Sequence, residues 1–325
     1  MTSTKFSFFA IAVALILTLG INLLRPWVVD VNLVADTGVA WYYWQQTNPS
    51  WLTQVTAWLG YAAHQVFFWG LIYWAQKQRY QFVDKVRSIN WIALWGTVAF
   101  VILHWVQTAL WYDGLAQDVS IFSSQGSVIL LLVLVLIMEN KRRGLFFGTK
   151  AKGLDTAGSW LRHYHGYIFS WATIYTFWYH PMENTSGHLI GFLYTMLLMI
   201  QGALLFTRMH TNKYWTLALE VTVLFHGTLV AVLQGTGIWP MFFFGFGGIF
   251  IITQMHGLGL KKLTRWLWAA AYLITVFWVY QSRGWENLNE ILRIPMIDYL
   301  LVFVLGGLLW LWVKWRHRGS QNPRV

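Results

Sequence analysis

Cysteine is absent from the 325 residues. That excludes disulfides, thiolate nucleophiles, iron–sulfur clusters and Cys-ligated zinc. Any metal or haem must therefore be held by His, Met, Tyr or carboxylate. Charge is scarce too: Asp, Glu, Lys and Arg make up 11% of the chain, against roughly a quarter in soluble globular domains. Proline numbers only six, and few breaks fall inside the apolar runs. No P-loop, dinucleotide fingerprint or serine-hydrolase elbow occurs, which argues against nucleotide-driven or nicotinamide chemistry within this chain. The paired-histidine helical motif of zinc proteases is missing as well.

What is present is apolar and aromatic. Hydrophobic residues reach 57%, with 23 Trp, 22 Phe and 15 Tyr. This composition predicts an all-α, polytopic integral membrane helix bundle. Ten apolar runs, about 6–24, 51–76, 91–111, 121–138, 163–181, 188–207, 215–234, 238–256, 266–282 and 296–313, lie near the ~20 residues a helix needs to cross the hydrocarbon. Together they make 1–325 a single membrane domain, with 314–325 as a basic tail. The first run has a signal peptide as its rival reading. It lacks a small-x-small cleavage site before Arg25-Pro26-Trp27 and is long for such a segment, so an uncleaved span is expected.

The net charge of +11 would point to nucleic acid if it formed a soluble basic face. Here the basic residues sit in short loops, where they set orientation instead, and nucleic-acid binding is discarded. Ten spans place twenty of the 23 Lys and Arg on the side of the termini, leaving Arg25, Arg283 and Arg293 opposite. That bias predicts cytoplasmic termini in a bacterial-type inner membrane. The longest cytoplasmic loop, 139–162, reads as a basic surface segment with turns at its glycines. The loop 25–50, with WYYWQQ, is expected at the membrane interface. The glycines of FFFGFGGIF and Gly306-Gly307 suggest close helix approach.

The segment from Arg162 to His188, RHYHGYIFSWATIYTFWYHPMENTSGH, concentrates the chemistry. Its fifteen steps from His165 to His180 rise roughly 22 Å and leave the two rings roughly 60° apart on a helix. One helix would then carry an imidazole near each membrane surface. By the same topology, His163, His165, His210 and His256 fall near the cytoplasmic ends. His64, His104, His226, His180 and His188 fall deeper or toward the outer face, and His317 lies in the tail. Each has a plainer reading as a solvated helix end or as a neutral ring bonded to a neighbouring helix. Yet ionisable groups inside a bilayer are uncommon and usually face an interior or a cavity.

Three uses of these groups follow. The first is haem b, with His165 and His180 in two tiers and His104, His226, His64, His210 or His256 as partners. That would make a transmembrane electron carrier or a quinone- or metal-reducing oxidoreductase. No second helix repeats the two-histidine spacing. The second is a copper, iron or zinc centre built from His180, Glu183, His188 and His104. The third is a proton-coupled small-molecule transporter, with Glu220 as relay beside mid-membrane histidines. Buried in its run, Glu220 requires a proton or a His or Arg partner, and its six-residue offset from His226 puts that partner on another helix. A fourth reading is an auxiliary subunit of a larger membrane complex, with lipid, quinone or other subunits as partners.

Overall fold

The computed structural model describes residues 1–35, 42, 44–112, 114–235 and 237–319, with side chains as far as 316. Trp41 and Tyr43 of the aromatic loop, Asp36, Asp113, the side chain of His317 and residues 320–325 lie outside the described residues. Among those described, the chain forms ten α-helices and no strand. In order they are α1 (Ser3–Leu23), α2 (Trp51–Lys77), α3 (Ser88–Trp111), α4 (Ile121–Arg143), α5 (Leu154–Tyr179), α6 (Ser186–Ala203), α7 (Lys213–Leu233), α8 (Trp239–Ile252), α9 (Lys262–Arg283) and α10 (Glu290–Gly319).

Six stretches, five of them whole helices (α1, α3, α4, α6 and α7) and the sixth running through α10, are long and apolar enough to cross a membrane. The ten runs thus return as ten helices, with several boundaries moved. α4 continues to Arg143, and α5 begins at Leu154 rather than at residue 163. The expected 139–162 loop shrinks accordingly. Its turn is fixed by Gly144 and Gly153, at φ +73° and +90°, a region that only glycine enters without strain. Asn140 ties the turn down, donating to Ala151 O at 3.1 Å and accepting from Ala151 N at 2.9 Å.

The helices start where short polar side chains can satisfy their first amides. Ser50 accepts from Thr53 N at 3.2 Å, and Thr185 from His188 N at 3.3 Å. At α3 the cap is completed by Asn90, whose Oδ1 accepts from Arg87 N at 2.9 Å and whose Nδ2 donates to Ala203 O and Leu205 O. Large apolar side chains lie outward on α1, α2, α3 and α9: Phe8, Leu59, Trp95 and Trp278 are 69%, 65%, 51% and 69% exposed. A surface this apolar suits lipid rather than water.

The chain divides into two compact units. Unit 1 comprises Met1–Val128 and Gly166–Leu219; unit 2 comprises Ile129–His165 and Glu220–Val325. In unit 1, α2, α3 and α6 pack around a core containing Phe68, Phe177, Trp178 and Phe192. Gly60 lets α2 approach Trp178, since a Cβ there would lie 2.1 Å from the indole. In unit 2, α8 packs on α10 through the glycines of the eighth run: a Cβ on Gly245 would meet Ile294 at 2.9 Å. α9 turns into α10 on Glu290, which accepts from Arg283 Nε at 2.9 Å, Arg283 Nη2 at 2.8 Å and Tyr280 OH at 3.2 Å.

Candidate functional site

Four imidazoles gather in unit 1, each from a different element. His64 comes from α2, His104 from α3, His180 from the residue after α5, and His188 from the first turn of α6. His64 and His104 are fully buried. His104 and His64 share Phe177 and Trp178 as neighbours, and His104 and His188 share Phe192. The rings of His180 and His188 lie 5.9 Å apart at 78°.

Aromatic side chains hold these rings. His64 stacks on Phe100 at 4.1 Å, and His104 stacks on Trp178 at 4.3 Å with its edge toward Phe177. Trp178 Nε1 donates to His64 Nδ1 at 3.2 Å, which places the ring proton of neutral His64 on Nε2. Among the described residues that Nε2 has no partner, and neither does either nitrogen of His104. His180 is fixed differently: its Nδ1–H donates to Thr176 O at 3.0 Å, leaving Nε2 as the lone-pair nitrogen. An Nδ1–H bonded to a backbone carbonyl is the usual way a ligating imidazole is oriented. His188 lies beside Thr185 and Tyr42, with Nδ1 2.8 Å from Thr185 Oγ1 and Nε2 3.5 Å from Tyr42 OH. The amides of Gln65 and the Oε1 of Gln107 are also buried in this unit without partners. Stacking occupies ring faces, and among the described residues it leaves both edge nitrogens of His104 and the Nε2 of His64 unmatched.

The other histidines stand elsewhere. His210, in a 3-10 turn of unit 1, donates from Nδ1 to Gln201 O at 2.9 Å. His165 belongs to unit 2 and donates to Arg162 O at 2.9 Å, while the exposed His163 ring packs edge-on to Tyr164. His226 is half-buried on α7. α8 stops at Ile252, so His256 falls in the connection to α9, beyond the helix. Its Nε2–H donates to Ile251 O at 3.2 Å, and its Nδ1 accepts from Arg265 Nη1 at 3.2 Å. Burial holds this imidazole below its ordinary value; the Ile251 bond opposes the shift, and Arg265 adds to it.

The two carboxylates singled out from sequence both have arginine partners. Glu183, 2% exposed, accepts from Arg25 Nε at 2.7 Å. Glu220 accepts from Arg143 Nη1 with both oxygens, at 3.0 and 2.7 Å, and both side chains are buried. Arg143 reads from sequence as a cytoplasmic loop charge, and the structure corrects this. The helix carries the buried stripe Leu136, Asn140, Arg143 at i, i+4, i+7 into the basic run, a spacing visible once α4 is continued past residue 138. Asp298, which the sequence places with the acidic residues of the outer side, is 1% exposed on α10 with Oδ2 unpartnered among the described residues. Trp178, which positions two histidines, carries no sequence signal that separates it from the other 22 tryptophans.

Among the described residues, no three His, Asp or Glu side chains converge as a ready metal site. No protein-family model, curated protein or solved structure matches the chain.

Proposed function

We propose that the chain is a membrane-embedded redox protein that holds haem b in the imidazole file of unit 1, with His104 and His180 as the iron ligands. The observation that carries this reading is the pair itself. His104 is fully buried with neither nitrogen matched, and His180, linked to it through Phe192 and His188, has its Nδ1–H already committed to a carbonyl. Leaving buried polar atoms unmatched costs about 1–3 kcal/mol each, so such a cluster calls for a ligand. Haem asks the protein for only one or two axial imidazoles, a demand this file suits better than that of a bare copper, iron or zinc ion, which takes more protein donors. Bound there, haem would supply one-electron chemistry, with a quinone or another membrane subunit as the class of partner. The protein's own part is to orient and to exclude water. Thr176 O fixes the His180 ring, Trp178 fixes His64 and covers a face of His104, and Phe177 and Phe192 close the wall.

The same proposal takes all ten helices as spans, with both termini in the cytoplasm of a bacterial-type inner membrane. Twenty basic residues against three support that orientation. The outward apolar faces of α2 and α9 support spanning by two helices whose polar and aromatic content lowers their mean hydropathy. Transport through Glu220 draws less support, because a carboxylate bonded to Arg143 through both oxygens is not free to pass a proton. The test is purification in mild detergent followed by absorption spectroscopy and metal analysis. A Soret band that His104→Ala and His180→Ala each remove or shift supports the assignment. Bands unchanged in both variants refute these ligands.

A further inference from the structure

Unit 2 contains an unbalanced cationic corner that the redox reading does not use. It forms where the end of α4 meets the turn between α8 and α9. Arg142 Nη1 donates to Gly257 O at 3.1 Å, and a Cβ on Gly257 would lie 2.9 Å from Arg143 Cβ. Arg265, one turn into α9, is tied to the same turn through His256. Arg142 has Glu139 and Arg143 has Glu220, but among the described residues Arg265 has no carboxylate partner. Its bond to His256 uses an imidazole lone pair, which carries no negative charge.

Several donors here are left unmatched. Arg143, with its side chain 1% exposed, gives Glu220 only Nη1, and its Nε and Nη2 have no partner. The Nε of Arg265 is buried and unpartnered as well. The 22-residue α9 also starts at Lys261 without a side-chain cap, so its first amides are free for an anion. Lys261 and Lys262 are exposed beside them. Immediately along the helix, Leu263, Trp266 and Leu267 are 70%, 65% and 60% exposed, an apolar flank next to a cationic rim.

We infer that this corner binds the phosphate of an anionic phospholipid headgroup, with Lys261, Lys262 and Arg265 at the rim and the acyl chains along Leu263, Trp266 and Leu267. The charge fits, since basic pockets on the cytoplasmic side of helix bundles attract acidic headgroups. The apolar flank selects lipid over a soluble phosphate, which would leave that surface uncovered.

The experiment is lipid binding to the full chain in mild detergent, followed by native mass spectrometry and thermal unfolding. Phosphatidylglycerol is compared with phosphatidylcholine of the same chains and with inorganic phosphate. The expected result is phosphatidylglycerol bound at least roughly tenfold more tightly than phosphatidylcholine, one charged hydrogen bond being worth about that factor. The variant carrying both Lys261→Gln and Arg265→Gln should fall to the phosphatidylcholine level. Arg79→Gln, a basic residue of unit 1, should bind as the wild type does. Equal binding of the two lipids, full binding by the double variant, or equal loss in Arg79→Gln would each overturn the site. Stabilisation by inorganic phosphate without any by phosphatidylglycerol would overturn the lipid assignment.

Discussion

Two buried residues, Glu220 and Arg143, show how a membrane protein keeps charge inside an apolar body. Each would be untenable alone, and together they form a doubly bonded pair. Removing one partner of a buried pair strands the other, at a cost of about 3–5 kcal/mol. Glu220→Gln should therefore lower the unfolding midpoint clearly, and Glu220→Gln combined with Arg143→Gln should recover part of the loss. Additive losses in that double-mutant cycle would contradict the coupling. His256 gives a pH prediction outside the helices. Its folded-state value lies below the ordinary 6.5. As pH falls through that ordinary value, the unfolded chain takes up a proton that the folded chain resists, so stability declines with acidification. His256→Gln should flatten the decline when thermal unfolding is followed across that range. At this scale the sequence was half legible. Glu220's need for either a proton or a His or Arg partner follows from elementary electrostatics. Arg143 as that partner was hidden, because three consecutive basic residues look like a loop until the helix is carried through them.

At the scale of elements, hydropathy found every helix, while the ends were set by capping and glycine geometry that composition does not weigh. α5 begins nine residues before its apolar run because Gly153 breaks the chain there and Leu154, Ala157 and Leu161, at i, i+3 and i+7, give the polar first turns a buried face. The eighth run was legible for what it is, a small-residue helix in close contact with α10. The four-imidazole file was legible only as a list of histidines. Nothing in their spacing says that α2, α3, the end of α5 and the start of α6 bring them together. Gly60 is the element-level test of that file, because Trp178 leans into the space where its side chain would be. Gly60→Ala should displace the indole and cost about 1–3 kcal/mol through overpacking. It should also alter any cofactor spectrum, because Trp178 holds His64 and stacks on His104. A stable variant with an unaltered spectrum would separate Trp178 from the site.

For the whole molecule, the absence of cysteine that narrows the chemistry also makes topology easy to test. Single cysteines can be introduced into a background with no native thiols. With ten spans, a cysteine at Lys150 should react with an impermeant maleimide only from the cytoplasmic side, and one at Gln46 or Glu286 only from the other. Labelling of all three positions from one side would contradict the ten-span orientation. The central claim is that the buried imidazoles of unit 1 exist to hold a haem, and the absorption spectrum of the purified full-length protein tests it most directly. The account predicts a Soret band in the wild type that His104→Ala and His180→Ala each abolish or shift. A colourless wild-type protein with no bound metal, purified from cells supplied with haem and iron, would contradict it.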